Sequence, residues 1–264
     1  MAQEVLFREI QVAASDVEIR KIGTSDLWRA LKEGYDDFNA KPSFGAFLVL
    51  IYPLFALLFS LLVLGEDLLY LAFPVVAGFT LLGPVACMAL FEMSRRREQD
   101  LDLTWSSAFD FVHSSAFAPI VALSVVMMLL YSAWVFMAQF MYLGLFGIDP
   151  PASMADLWSQ VISTRRGAAL AMYGTGVGFL FAFTVLAISV VAFPLLLDKP
   201  ASSATAIAVS VRAVTNNPLP MAIWGLTVVV LLAAGAAVFL VGLAAVLPIL
   251  GHATWHLYRK VVAP

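Results

Sequence analysis

The chain has 264 residues, of which 62% are hydrophobic and 12% charged, and its mean hydropathy is +0.92. Soluble domains are about 45–50% apolar and about 25% charged, and surface-to-volume scaling prevents a globule of this size from burying the excess. A soluble enzyme, a disordered chain and a nucleic-acid binder are thereby excluded. The single Cys87 excludes an intramolecular disulfide framework and a cysteine metal cluster. The net charge of −3 specifies no partner, so the informative quantity is where the charges fall. The composition is that of an all-α integral membrane protein.

Residues 1–42 hold eight acids and six bases and no long apolar run. A secretory signal needs a basic start and an apolar centre, so this stretch reads as a cytoplasmic arm, residues 1–22, leading into a membrane domain, residues 23–260, and a short tail, residues 261–264. A bilayer-spanning helix needs about 20 apolar residues. Spans are expected at 44–64, 68–93, 117–146 and 167–197, with the acidic turn Gly65-Glu66-Asp67 after the first and a polar loop from Gly147 to Arg166 before the fourth. Leu219–Leu257 has 39 residues without Lys, Arg, Asp or Glu. One helix of that length would run about 58 Å, nearly twice the hydrocarbon thickness, so it divides into spans 219–235 and 237–257 with a reversal near Ala233-Ala234-Gly235. With six spans, thirteen of the fifteen Lys and Arg residues share one side and only Arg165 and Arg166 take the other. The positive-inside rule then places both termini in the cytoplasm and the protein in a cell inner membrane.

The chain repeats internally. Gly78, Pro84, Ala89 and Arg95 align without a gap on Gly242, Pro248, Ala253 and Arg259, and Phe181-Ala182-Phe183-Thr184 is a weaker copy of residues 77–80. Trp28 and Pro42 recur as Trp105 and Pro119, bracketing amphipathic stretches before odd-numbered spans. In the first stretch Leu27, Leu31, Tyr35 and Phe38 form an apolar stripe at helical spacing. The second, Thr104–Ser115, opens on a good N-cap, and the third, Ser203–Asn216, ends at Asn217-Pro218. The expected unit is amphipathic helix, span, return span, three times over, in parallel orientation.

No Lys, Arg or Asp lies near the middle of a span, which disfavours ion-coupled transport. His252 and His256 are four residues apart and project from one helix face, a spacing that suits one transition metal. Haem or metal there is one reading, with Glu92, the repeat equivalent of His256, near by. The other is an interfacial belt of His, Trp255 and Tyr258. His113, on the second amphipathic stretch, reads as solvated. Arg95-Arg96-Arg97 reads as a topology anchor with anionic headgroups as its functional partner, and Trp28 and Trp105 as lipid-facing rings. Gly174 and Gly178 have the spacing of close helix packing. The Gly-Thr-Gly-Val-Gly run they bracket lacks the strand and the base of a nucleotide loop.

Several segments resemble a known family: Lys21-Ile22-Gly23-Thr24-Ser25-Asp26-Leu27-Trp28, Gly83-Pro84, Glu92-Met93-Ser94-Arg95-Arg96, Phe193-Pro194-Leu195-Leu196-Leu197-Asp198 and His252-Ala253-Thr254-Trp255-His256-Leu257-Tyr258-Arg259. Together these are similar to the bacterial integral membrane family called domain of unknown function 2189, over about residues 20 to 260. The resemblance implies a multi-pass helical protein and carries no activity with it. The expected function is a non-enzymatic membrane module that binds lipid or assembles a membrane partner, by self-association or with another protein. The alternatives are a transporter or channel for an apolar solute, and metal or haem binding at His252 and His256.

Overall fold

The computed structural model describes residues 12–41, 68–104, 106–148, 151–237 and 242–263. The expected first span, 44–64, and Trp105 lie outside the described residues. Among those residues the regular elements are helices, apart from one antiparallel bridge between Ile19 and Val262. They are α1 (Thr24–Ala40), α2 (Ala72–Phe79), α3 (Gly83–Ala86), α4 (Met88–Glu98), α5 (Phe117–Phe146), α6 (Met154–Ser163), α7 (Arg165–Ser189), α8 (Ala192–Asp198), α9 (Ser203–Asn216), α10 (Pro218–Ala237) and α11 (Leu243–Val261). Short 3-10 turns lie at Leu69–Leu71, Thr80–Leu82 and Ser107–His113.

Four stretches among the described residues are long and apolar enough to cross a bilayer: Leu69–Glu98, Phe117–Phe146, Arg165–Asp198 and Pro218–Ala237. Their surfaces carry large exposed apolar side chains, Phe136, Phe140, Phe179 and Leu226 among them, as a helix solvated by lipid requires. Two of these stretches are interrupted where proline dictates. Pro84 has no N–H for the carbonyl of Thr80, and the chain tightens into the 3-10 turn Thr80–Leu82. Pro194 leaves Val190 without its usual donor, and α7 gives way to α8 at that point.

Three expectations are corrected. The loop from Gly147 to Arg166 contains the helix α6, started by Ser153, whose hydroxyl accepts from the Asp156 N–H at 3.1 Å. The second amphipathic stretch is a 3-10 segment rather than an α-helix, and its N-cap position is Ser106, not Thr104, whose hydroxyl accepts from the Ser107 N–H at 3.2 Å. And α10 runs unbroken past Ala233-Ala234-Gly235 to Ala237.

The chain divides into two compact units. In the smaller one, residues 51–83 and 125–185, Trp134 on α5 is the centre. Its Nε1 donates to the Pro74 carbonyl at 2.7 Å, and its ring stands edge-on to Phe181. Gly78 and Gly178 make room for it: a Cβ on Gly78 would come within 2.4 Å of the ring and one on Gly178 within 3.2 Å. Tyr70 and Tyr142 stack at 4.3 Å.

The larger unit, residues 1–50, 84–124 and 186–264, is a layer of helices around α11. The second half of α11 is enclosed on nearly every side, with His252, Ala253, Trp255, Leu257, Tyr258 and Val261 all buried. A helix covered all round is core rather than surface. α1, α4, α8 and α10 all pack on it, and α4 and α8 also touch each other. Around this hub the partners follow a cyclic order. α1 lies on α11, the Ser107–His113 segment on α4, and α9 on α8. Each helix that precedes an expected odd-numbered span therefore rests on the end of the return helix before it in the cycle.

Candidate functional site

The site builds from α1. Asp26 fixes its start by accepting from the Gly23 N–H at 2.9 Å. Leu27, Ala30, Gly34 and Asp37 form the buried face. At Gly34 the two helix backbones touch: a Cβ there would lie 2.5 Å from the Ala253 nitrogen. This is the small-residue approach that brings polar side chains one turn further on into contact.

That contact is a buried cluster around Asp37. Its Oδ2 accepts from the Ser94 hydroxyl at 2.5 Å and faces His256 Nε2 at 2.8 Å, and its Oδ1 accepts from Arg97 Nη1 at 2.5 Å. His252 Nδ1 lies 2.8 Å from the Ser94 Oγ. Since the Ser94 proton is committed to Asp37, His252 donates to that oxygen. Lys260 pairs with Glu33 at 2.7 Å, and Glu33 stands 3.5 Å from His256 Nδ1. Burial pushes the Asp37 carboxyl up, but the hydrogen bonds from His256 and Ser94 and the two neighbouring imidazoles outweigh it and hold the group below its ordinary value.

Three further carboxylates anchor the ends of α4 and α8. Glu92, fully buried, takes a bidentate pair from Arg95 at 2.8 Å. Asp198 accepts from the Tyr258 hydroxyl at 2.5 Å and from Arg259 at 3.3 Å. Glu98 bonds the Trp255 Nε1 at 3.1 Å and Arg259 at 2.9 Å.

The residues singled out from sequence fall as follows. His252 and His256 share a face, and what they share is Asp37. No group of three or more His, Cys, Asp or Glu among the described residues is placed to hold a metal ion. Trp255 and Tyr258 are enclosed by protein rather than facing lipid, because their polar atoms find Glu98 and Asp198 inside the layer. Arg95, Arg96 and Arg97 each have a carboxylate within the chain: Glu92, Asp110 at 2.9 Å and Asp37. Glu92 therefore pairs with arginine rather than with His256. Trp28 is exposed, as is Tyr35 beside it on α1. His113 is exposed. Gly178 packs on Trp134, whereas among the described residues nothing lies within 4 Å of where a Cβ on Gly174 would sit. Sequence reading missed Asp37 and Ser94; the signal for α1 was the pair Ala30 and Gly34, four residues apart.

Ser94, His252 and Asp37 bring together the residue types of a hydrolase triad, but not its wiring. A triad serine donates to the imidazole and the carboxylate holds the other ring nitrogen. Here Ser94 donates to Asp37, and the same His252 nitrogen faces both. The cavity beside the cluster, lined by Asp37, Met93, Arg97 and His252, holds about 10 Å³, room for a single water. The arrangement is suited to clamping helices together. A second cavity is far larger, about 480 Å³, and lies among the end of α4, the Ser107–His113 segment and the end of α8.

Helices of this length and apolarity, with a charged layer at their ends, define a multi-pass integral membrane protein. The family described as Predicted integral membrane protein (DUF2189) matches residues 72–198, and over them the chain carries that family's sequence pattern. The match takes in Gly83-Pro84, Glu92–Arg96 and Phe193–Asp198 of the resembling segments, and not Lys21–Trp28 or His252–Arg259. No curated protein and no solved structure gives a match.

Proposed function

We propose that the protein is a six-span inner-membrane module with both termini cytoplasmic, built from three copies of amphipathic helix, span and return span. Its cytoplasmic helix layer is a rigid platform that binds lipid or seats a membrane partner. The observation that carries this reading is the cyclic packing of α1, Ser107–His113 and α9 on α11, α4 and α8. Three equivalent contacts around one hub are what a threefold parallel repeat produces. The charges support it. The carboxylates of Asp37, Glu92 and Asp198 are each engaged by donors from inside the layer, and paired buried charges hold a geometry. The exposed rings of Trp28 and Tyr35 sit beside the buried face of α1, as amphipathic rings do at a bilayer interface. The test is purification in mild detergent followed by mass spectrometry of proteins and lipids. Specific co-purification of a lipid class or of one membrane protein supports the reading, and a protein that purifies alone with no specific lipid refutes it. A reporter fused after Pro264 tests the orientation; periplasmic activity overturns it.

A further inference from the structure

The cavity of about 480 Å³ in the larger unit is built for more than structure. Its volume falls in the range of small-ligand sites, about 300–1,000 Å³. Its lining carries charges of both signs: Glu92 and Arg95 come from α4, Asp110 from the 3-10 segment, and Asp198 and Lys199 from the end of α8. Ser115 adds a hydroxyl. Phe111, Pro119, Leu196 and Leu197 supply apolar lining.

Its place along the spans is as informative as its lining. Two candidate spans, Leu69–Glu98 and Arg165–Asp198, end at this cavity, and a third, Phe117–Phe146, begins there. Ends of spans lie at headgroup depth. A ligand reaching this point from the bilayer brings a polar head to charged lining residues and its chains to apolar ones. Lys199 spends one donor on the Ala263 carbonyl at 3.1 Å and is a trifunctional donor. Asp110 is more than half exposed and has one oxygen bonded to Arg96. Lys199 and the carboxylate of Asp110 thus line one space, which fits a head with one anionic and one cationic group. A purely anionic head would leave the exposed Asp110 carboxylate without a cation of the ligand to meet.

We infer that this cavity binds the headgroup of an aminophospholipid, its phosphate toward Lys199 and the Ser115 hydroxyl and its ammonium toward Asp110 and Asp198. The inference deepens the platform reading and rests on its lipid-binding form. The experiment titrates the full chain in detergent with short-chain phosphatidylethanolamine, phosphatidylcholine, phosphatidylglycerol and free phosphoethanolamine, read by native mass spectrometry. Wild type should bind the ethanolamine lipid about tenfold more tightly than the other two lipids, about the worth of one well-placed polar contact. Ser115→Trp, which fills the cavity from an exposed position, and Lys199→Gln should each abolish that preference. Equal binding of all three lipids overturns the inference, as does a preference that survives both variants. Binding of free phosphoethanolamine as tight as that of the lipid also overturns it, since the ligand is then a soluble head and not a lipid. A protein partner recovered in the pull-down with no ethanolamine preference overturns the inference and leaves the platform reading standing.

Discussion

Gly34→Ala should unseat α1. The new Cβ would lie 2.5 Å from the Ala253 nitrogen and 2.7 Å from its Cα and Cβ. Ordinary contact between such atoms is about 3.5–4.0 Å, so the helices must part by about 1 Å, and the obstacle is backbone rather than a flexible side-chain end. Overpacking of this kind costs about 1–3 kcal/mol. The same shift stretches the contact between His256 and Asp37, now 2.8 Å, past the hydrogen-bonding limit and leaves a buried carboxylate short of a partner, which adds about 3 kcal/mol. Better helix propensity returns about 1 kcal/mol. The net loss is about 3–5 kcal/mol, or at least two decades in an opening equilibrium. Amide hydrogen exchange over residues 24–40 in detergent reads this directly, because protection reports the local opening free energy. Protection lower by about a hundredfold or more is expected. Protection equal to or above wild type would refute the close approach of α1 to α11 and the role given to Asp37.

Gly174→Ala is the contrasting case: its Cβ meets open space, so the melting temperature should hold or rise, whereas Gly78→Ala, 2.4 Å from Trp134, should lower it by several degrees. Asp37→Asn keeps the shape and removes the charge facing Arg97, His252 and His256; a loss of about 3 kcal/mol in α1 protection is expected by the same exchange measurement, and an unchanged profile would show that the cluster is not ionic. The pH dependence has a definite sign. A carboxyl held below its ordinary value of 3.8 adds stability that is complete above that value and is lost as pH falls through the folded one. The difference in protease resistance of α1 between wild type and Asp37→Asn should therefore persist at pH 5 and vanish below about pH 4; a difference that vanishes near neutral pH would assign it to another group.

Membrane insertion was legible because it follows from composition and from long apolar runs, both local properties. The breaks at Pro84 and Pro194 are equally local. The site was less so. The apolar stripe Leu27, Leu31, Tyr35 and Phe38 looks like the buried face of α1, yet the helix buries Leu27, Ala30, Gly34 and Asp37 and leaves Tyr35 exposed. Close packing favours small residues, and a hydropathy pattern gives those little weight. Asp37 is buried only because partners from α4 and α11 arrive at it, and nothing near it in sequence announces them. The belt reading of Trp255 and Tyr258 failed for the same reason: their partners, Glu98 and Asp198, are contributed by other helices.

The contact of Asp37 with His256 joins residues 219 apart in the chain. At a synthesis rate of about 5–20 residues per second, α1 leaves the ribosome tens of seconds before α11 exists to receive it. During that interval the acids and bases of α1 keep it in water, and its glycine notch has nothing to fill it. Closure of the helix layer therefore waits for the synthesis of α11. A nascent chain interrupted before α11 would present an undocked α1, a feature by which quality control can tell an unfinished chain from a finished one.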